Sequence, residues 1–253
     1  MNMHENGAGL AAGLAPYLRG LSFDGEKGRI VVTETEPDRL GDLVDIEKKD
    51  DVIARLDAMP LFLKRGDDKG DILKSYRAYT EAYGRTPEYI ILEGTALFAA
   101  GDTCDRAREL LASALGEDGG TQGTVTQGAG REDLGGAPPR FDRNAVVRNK
   151  VAVVTGGAQG FGEGLVRELA AAGCHVVIAD LNLEGARELA DELNRTHKKT
   201  TAFPVQVNVA DEESVKAMID TVAAVLGGID LFISNAGVLK AGSVKEMSLK
   251  DFS

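Results

Sequence analysis

Eight consecutive residues, Thr155-Gly156-Gly157-Ala158-Gln159-Gly160-Phe161-Gly162, carry glycines at the spacing G-x-x-x-G-x-G directly after the apolar run Val151–Val154. Side-chain-free backbone between a strand and a helix suits one kind of chemistry, the holding of a diphosphate. Gly156 allows a tight turn out of the strand. Gly160 lets backbone amides approach the phosphates, and Gly162 lets the following helix pack closely, with its positive end facing the negative charge. An isolated glycine-rich turn needs no ligand, but strand, turn and helix in register argue for one. The spacing differs from G-x-G-x-x-G and from a phosphate loop ending in Gly-Lys-Ser/Thr.

A carboxylate, Asp180, ends the next apolar run, His175–Ala179, 24 residues beyond Gly156. At that place it can accept hydrogen bonds from both hydroxyls of a ribose, and its charge would repel a 2′-phosphate. Gln159, Leu181 and Asn182 bring no positive charge to offset that repulsion. The pattern therefore favours NAD over NADP. An ordinary strand-end aspartate or helix cap is the less economical reading at this spacing.

These residues need a scaffold, and the sequence supplies one. Apolar runs at Val151–Val154, His175–Ala179, Phe203–Val207 and Ile229–Ile233 recur every 24–28 residues. Between them lie stretches with apolar residues at helical spacing. These are Leu165, Val166, Leu169 and Ala172; Ala186, Leu189, Ala190 and Leu193; and Val215, Met218, Ile219 and Val222, the last behind an Asp211 cap. Continuous apolar strands alternating with helices predict an α/β fold with a doubly wound, Rossmann-type parallel sheet covered on both faces.

Thr155-Gly156-x-x-x-Gly160-x-Gly162 resembles the T-G-x-x-x-G-x-G motif of the short-chain dehydrogenase/reductase family. Val207-Asn208-Val209 stands where that family usually has Asp-Val against the adenine, and Asn208 keeps an acceptor oxygen. Ser234-Asn235-Ala236-Gly237 is similar to the family's N-N-A-G, with Ser for the first Asn. The resemblance covers residues 150–238. It implies cofactor contacts at Gly156, Gln159, Gly160, Phe161, Gly162, Asp180, Leu181, Asn208, Val209, Asn235, Ala236 and Gly237. Asn235 is expected to brace the sheet centre, and Ala236-Gly237 to lie beside the ribose and nicotinamide side. The implied activity is hydride transfer between NAD and a small alcohol or carbonyl compound.

The family's proton-transfer chemistry uses a Tyr-x-x-x-Lys pair and an upstream Ser. Tyr17, Tyr76, Tyr79, Tyr83 and Tyr89 are followed four positions on by Leu21, Thr80, Tyr83, Pro87 and Glu93, never by lysine. No catalytic residue is assigned. The sequence reads as the cofactor-binding half of an oxidoreductase, truncated at Ser253, 16 residues after Gly237. A sheet left half-built predicts an exposed strand edge and pairing with another chain, a homo-oligomer included. The competing readings are a non-catalytic dinucleotide-binding or interaction module and, last, a methyltransferase. The methyltransferase would carry an acidic residue at Thr155 and a shorter glycine spacing.

Residues 1–115 are less regular. Ile30–Thr33 and the pair Tyr89–Leu92 and Ala96–Ala100 around Glu93-Gly94 read as strands. Lys48–Ala58 and Asp71–Tyr83 read as helices, and a third runs from a cap at Asp102 or Thr103 to Leu115. Ile72, Leu73, Tyr76, Tyr79 and Tyr83 fall near one face and are expected to pack in a core. Residues 89–103 resemble the late strand pair of a class II aldolase-type domain, so the layout is similar to bifunctional aldolase/short-chain dehydrogenases. The resemblance implies an α+β remnant without metal or aldolase activity. Such aldolases hold a metal with several histidines, whereas only His4, His175 and His197 occur and Thr95 stands where a ligand would be. Residues 116–145 form a Gly/Pro-rich linker, with seven glycines between Asp118 and Gly136. Residues 146–253 form the dinucleotide-binding domain.

Composition narrows the partners. The chain of 253 residues carries 40 acidic against 29 basic side chains, a net charge of -11. That balance opposes sequence-independent binding to nucleic acid or anionic membrane. No apolar run reaches the ~18 residues that span a bilayer. Two cysteines, Cys104 and Cys174, make no disulfide framework and fit a cytoplasmic location.

Overall fold

The computed structural model describes residues 7–23, 28–117 and 146–237. Its elements are α1 (Gly7–Leu21), β1 (Ile30–Glu34), α2 (Pro37–Leu40), α3 (Lys49–Leu56), β2 (Leu61–Leu63), α4 (Lys69–Tyr83), β3 (Tyr89–Leu92), β4 (Ala96–Gly101) and α5 (Cys104–Leu115), then β5 (Val151–Thr155), α6 (Gly160–Ala171), β6 (His175–Asp180), α7 (Leu183–His197), β7 (Ala202–Gln206), α8 (Glu212–Leu226) and β8 (Leu231–Ile233). The glycine-rich stretch read as a linker lies almost wholly outside the described residues, as do residues 238–253.

The strands form two four-stranded sheets, β1-β4-β3-β2 and β7-β6-β5-β8. The second is parallel throughout: Thr155 pairs with Ala179, and Val154 with Ile178 and Ile233. Because successive side chains alternate across a sheet, these apolar strands feed two cores. Ala152, Val154, Val176 and Ile178 face α6 and α7, meeting Val166, Ala170, Ala186 and Leu189. Val151, Val153, Val177 and Ala179 face the other way, against Met218, Val222 and Leu226 of α8. Pro204 sits in β7, which among the described residues pairs only with β6. An edge tolerates its missing amide. On the other side, β8 has one strand neighbour among the described residues, and Phe232 is 49% exposed.

The first sheet is mixed: β1 and β3 run antiparallel to β4, while β2 runs parallel to β3. Ile72, Tyr76 and Tyr79 of α4 are buried against it, whereas Tyr83, at the helix end, is exposed. The expected helix 48–58 is shorter, Lys49–Leu56, because Asp57 takes a left-handed conformation (φ 47°) that ends it. Thr103, not Asp102, caps α5, accepting the Arg106 amide.

The two sheets are not separate bodies. Ile30 and Val32 of β1, with Cys104 and Ala107 of α5, are buried in the same core as α8 and the outer face of the parallel sheet. At the edge of this seam His175, the first residue of β6, is buried, and among the described residues neither ring nitrogen makes a well-formed hydrogen bond. Burial, aided by the positive charges of Lys199 and Arg19, pushes its pKa down to about 4. The unfolded chain therefore binds a proton on this ring at higher pH than the fold does. The stability this neutral ring contributes is complete above pH ~6.5 and falls as pH drops toward the folded value. About 2 kcal/mol is expected to be lost between pH 7.5 and pH 5. Urea melts at the two pH values should show that loss in the wild type, and His175→Phe should remove it. An equal loss in both proteins would assign the effect elsewhere.

Candidate functional site

The site is built at the carboxyl ends of the parallel strands, where β5 and β6 hand over to α6 and α7. Gly156 leaves β5 with φ +63°, a conformation side chains resist. Its amide donates to the Ala179 carbonyl at 2.8 Å, holding the turn against the end of β6. A Cβ there would lie 2.9 Å from Ala236 Cα and 3.2 Å from Asn235 Nδ2. Gly162 is tighter still, since a Cβ would fall 2.0 Å from the Gly156 carbonyl oxygen. The absence of a side chain at Gly162 therefore lets α6 close on the turn itself. Gly160 (φ +59°) faces open space, so its backbone stays approachable. The first bond into α6 runs from Glu163 N to the Gln159 carbonyl. The amides of Gly160, Phe161 and Gly162 precede it and form the positive end of the helix.

Two residues that the sequence reading left without a role complete the turn. Gly157 is buried, and a Cβ would lie 2.9 Å from the Val154 carbonyl. The Gly-Gly doublet was the signal for it. Thr155 is buried, and its Oγ1 accepts the amides of Asn235 and Ala236, each at 3.0 Å. Asn235 returns the contact, donating from Nδ2 to the carbonyls of Thr155 (3.0 Å) and Gly156 (3.2 Å). Asn235 thereby ties the end of β8 to the glycine turn. Ala236 is partly buried beside Gly156, and Gly237 is exposed with nothing near its missing side chain.

Asp180 closes the other side. Oδ2 accepts the Ala158 amide at 3.0 Å and Oδ1 the Asn182 amide at 2.9 Å. A carboxylate has about four acceptor positions, so two remain for hydroxyls. The sequence reading treated the turn and Asp180 as partners through a ligand; here they also touch directly. Asn182 caps α7 through the Gly185 amide. Leu181 is 67% exposed, with its carbonyl accepting Gln206 Nε2, and Val209 is half exposed. Gln159 and Phe161 also face solvent, Phe161 almost completely.

Asn208 already spends part of its acceptor capacity within its own loop. Its acceptor oxygen holds the Ala210 amide of its own loop at 3.1 Å, while its backbone amide donates to Ser214 Oγ at 2.9 Å. A short amide side chain readily bonds backbone two residues on, so only one lone pair of that oxygen is free. Asp211 occupies the N-cap of α8 as expected but makes no side-chain cap bond. Among the described residues no cluster of three or more His, Cys, Asp or Glu is arranged to hold a metal. No helix of the described residues is long and apolar enough to cross a membrane.

Comparison with known proteins addresses the same stretch. The short chain dehydrogenase family matches residues 150–253. An uncharacterized oxidoreductase of Bacillus subtilis, YuxG, is 41% identical over 116 residues, which are 46% of this chain and 16% of that protein. Meso-2,3-butanediol dehydrogenase of Serratia marcescens is 41% identical over 113 residues, 45% of this chain and 41% of the relative. Sorbitol-6-phosphate 2-dehydrogenase of Escherichia coli is 35% identical over 104 residues, 41% of this chain and 40% of the relative. The chain therefore spans less than half the length of these relatives. Residues 150–253, which hold the glycine turn, Asp180 and Asn235, are thus similar to the short chain dehydrogenase family.

Proposed function

We propose that residues 146–253 are the NAD-binding part of an oxidoreductase that moves hydride between NAD and a small alcohol or carbonyl compound. The observation that carries this reading is the meeting of the glycine turn with Asp180, joined through the Ala158 amide at 3.0 Å. The open backbone at Gly160 and the two unused acceptor positions of Asp180 fit a diphosphate beside a ribose. In this reading the amides of Gly160–Gly162 hold the diphosphate, and Gln159 and Phe161 flank it. Asp180 takes the adenosine ribose hydroxyls, and the exposed Leu181 and Val209 bracket the adenine near Asn208. Thr155 and Asn235 keep the turn in place, leaving Ala236-Gly237 along the ribose and nicotinamide side. When bound, NAD supplies the carbon that accepts or returns hydride.

Proton transfer to the substrate is assigned to no residue of this chain, since no tyrosine has a lysine four positions on. The second reading is a dinucleotide-binding module without chemistry of its own. The names of the two dehydrogenase relatives suggest polyol-like substrates such as vicinal diols and sugar alcohols. For residues 1–115 we infer an aldolase-like remnant without a metal site, supported by the antiparallel pair Tyr89–Leu92 and Ala96–Gly101 with Thr95 at its turn.

Calorimetric titration with NAD and NADP tests the cofactor. NAD should bind saturably. NADP should bind roughly tenfold or more weakly, because about 1.4 kcal/mol of repulsion at Asp180 already gives that factor. Equal affinities would remove Asp180 from the ribose, and no binding of either would remove the cofactor reading. Adding a diol to the NAD complex tests the module reading, which NADH appearing at 340 nm would overturn.

A further inference from the structure

We infer that Arg19, in α1 of the N-terminal unit, is a positioning residue for the glycine turn and acts through Asp230. The inference concerns residues of opposite ends of the chain and rests, for its link to NAD, on the reading above. Arg19 donates both terminal nitrogens to Asp230, Nη1 to Oδ1 at 3.0 Å and Nη2 to Oδ2 at 2.7 Å. The Arg19 side chain is 9% exposed and that of Asp230 30%, so the guanidinium is buried while the carboxylate keeps one side to water. Asp230 Oδ2 also accepts the Val151 amide at 2.7 Å. One carboxylate, immediately before β8, thus holds the first residue of β5 as well as α1. Burial alone would raise the Asp230 pKa, but Arg19 and the Val151 amide outweigh it and hold the group below the usual range.

The consequence lies at the other end of the same two strands. β5 and β8 run parallel in fixed register, Ala152 with Leu231 and Val154 with Ile233. Their lower ends are fastened by Asp230, and their upper ends by Thr155 and Asn235, which support the glycine turn. β8 is three residues long and half open to solvent, so among the described residues these fastenings add to its ladder with β5 and to the packing of Leu231 and Ile233. The surroundings of the lower fastening also come from the N-terminal unit. A Cβ on Gly227 would lie 2.9 Å from Val31 Cβ, and one on Gly228 3.4 Å from Pro16 Cβ. The N-terminal unit is therefore part of the body that shapes the dinucleotide site.

The test uses the whole chain. Amide exchange is followed residue by residue without ligand in the wild type, Arg19→Gln and Arg19→Lys. Arg19→Gln should speed exchange about tenfold at Val151, Asn235 and Ala236 while β3 and β4 change little, and Arg19→Lys should restore much of the protection. NAD affinity should weaken about three- to tenfold in Arg19→Gln and less in Arg19→Lys. Uniform acceleration across both sheets, or none at Asn235 and Ala236, would overturn the inference, since a merely structural contact predicts the first and an idle one the second. Should Arg19→Gln fail to fold, Asp230→Asn gives the same comparison, because it keeps an acceptor for Val151 and loses the ion pair. If the wild type binds no NAD, the cofactor reading fails, and the exchange pattern still decides the positioning role.

Discussion

Gly156→Asp should abolish NAD binding in a chain that still folds. The backbone at Gly156 has φ +63°, and a side chain in that left-handed region costs about 1–2 kcal/mol. The new Cβ would also press on Ala236 Cα at 2.9 Å and Asn235 Nδ2 at 3.2 Å, displacing the bracing amide. The added carboxylate then faces a diphosphate at close range and repels it. Together these effects should exceed ~3 kcal/mol, more than a hundredfold in affinity. Gly156→Ala keeps the strain and removes the charge, so it should fall between the two. Calorimetry supplies the affinities, and circular dichroism checks the fold. Unimpaired binding by Gly156→Asp would show that the turn is not the binding site.

Asp180 carries the second large effect because it does two things. Toward a ribose it offers two charge-assisted hydrogen bonds, each worth about 1.5–3 kcal/mol against leaving the partner unmade. Toward its own chain it holds the Ala158 amide, and so the shape of the turn. Asp180→Ala loses both, and NAD affinity should drop by roughly a hundredfold or more. Asp180→Asn keeps an acceptor for Ala158 and loses the charge, so its loss should be smaller. Removing the charge also lifts the repulsion of a 2′-phosphate, so the preference for NAD over NADP should shrink by about tenfold in Asp180→Asn. An unchanged ratio would mean that the carboxylate does not meet the ribose.

The centre of the parallel sheet was legible because β5 and β6 are buried on both sides. Val151–Val154 and His175–Ala179 read as unbroken apolar runs, and the structure extends them only to Thr155 and Asp180. The hairpin of β3 and β4 was legible for a different reason: Gly94 turns the chain with φ +58° between two apolar segments. By contrast, α1 left no clear signal. It carries glycines at 7, 9, 13 and 20 and Pro16 within it, residues that lower intrinsic helix propensity. Its burial of Ala11, Ala15 and Leu18 against the first sheet, and its packing on α8, sustain it instead. β2 is only three residues long, below what periodicity can identify.

Within the site, the motif residues could be placed from their spacing, since the chemistry of a diphosphate turn is local. What could not be placed were the contacts between distant segments. Nothing near Thr155 announces that its hydroxyl will accept the Asn235 and Ala236 amides some 80 positions on. Arg19 and Asp230 are 211 positions apart, and neither lies in a motif. The fold alone brings them together, by wrapping β1 and α5 onto the face of the parallel sheet.

The central claim is that amides just past residue 155 and the Asp180 carboxylate hold one dinucleotide between them. Backbone amide NMR shifts during titration with NAD test it most directly. The account predicts saturable shifts concentrated at 156–162, 180–182, 208–209 and 235–237, with sheet β1-β4-β3-β2 nearly unmoved. Saturable shifts clustered elsewhere, or none at Gly160–Gly162 and Asp180, would contradict it.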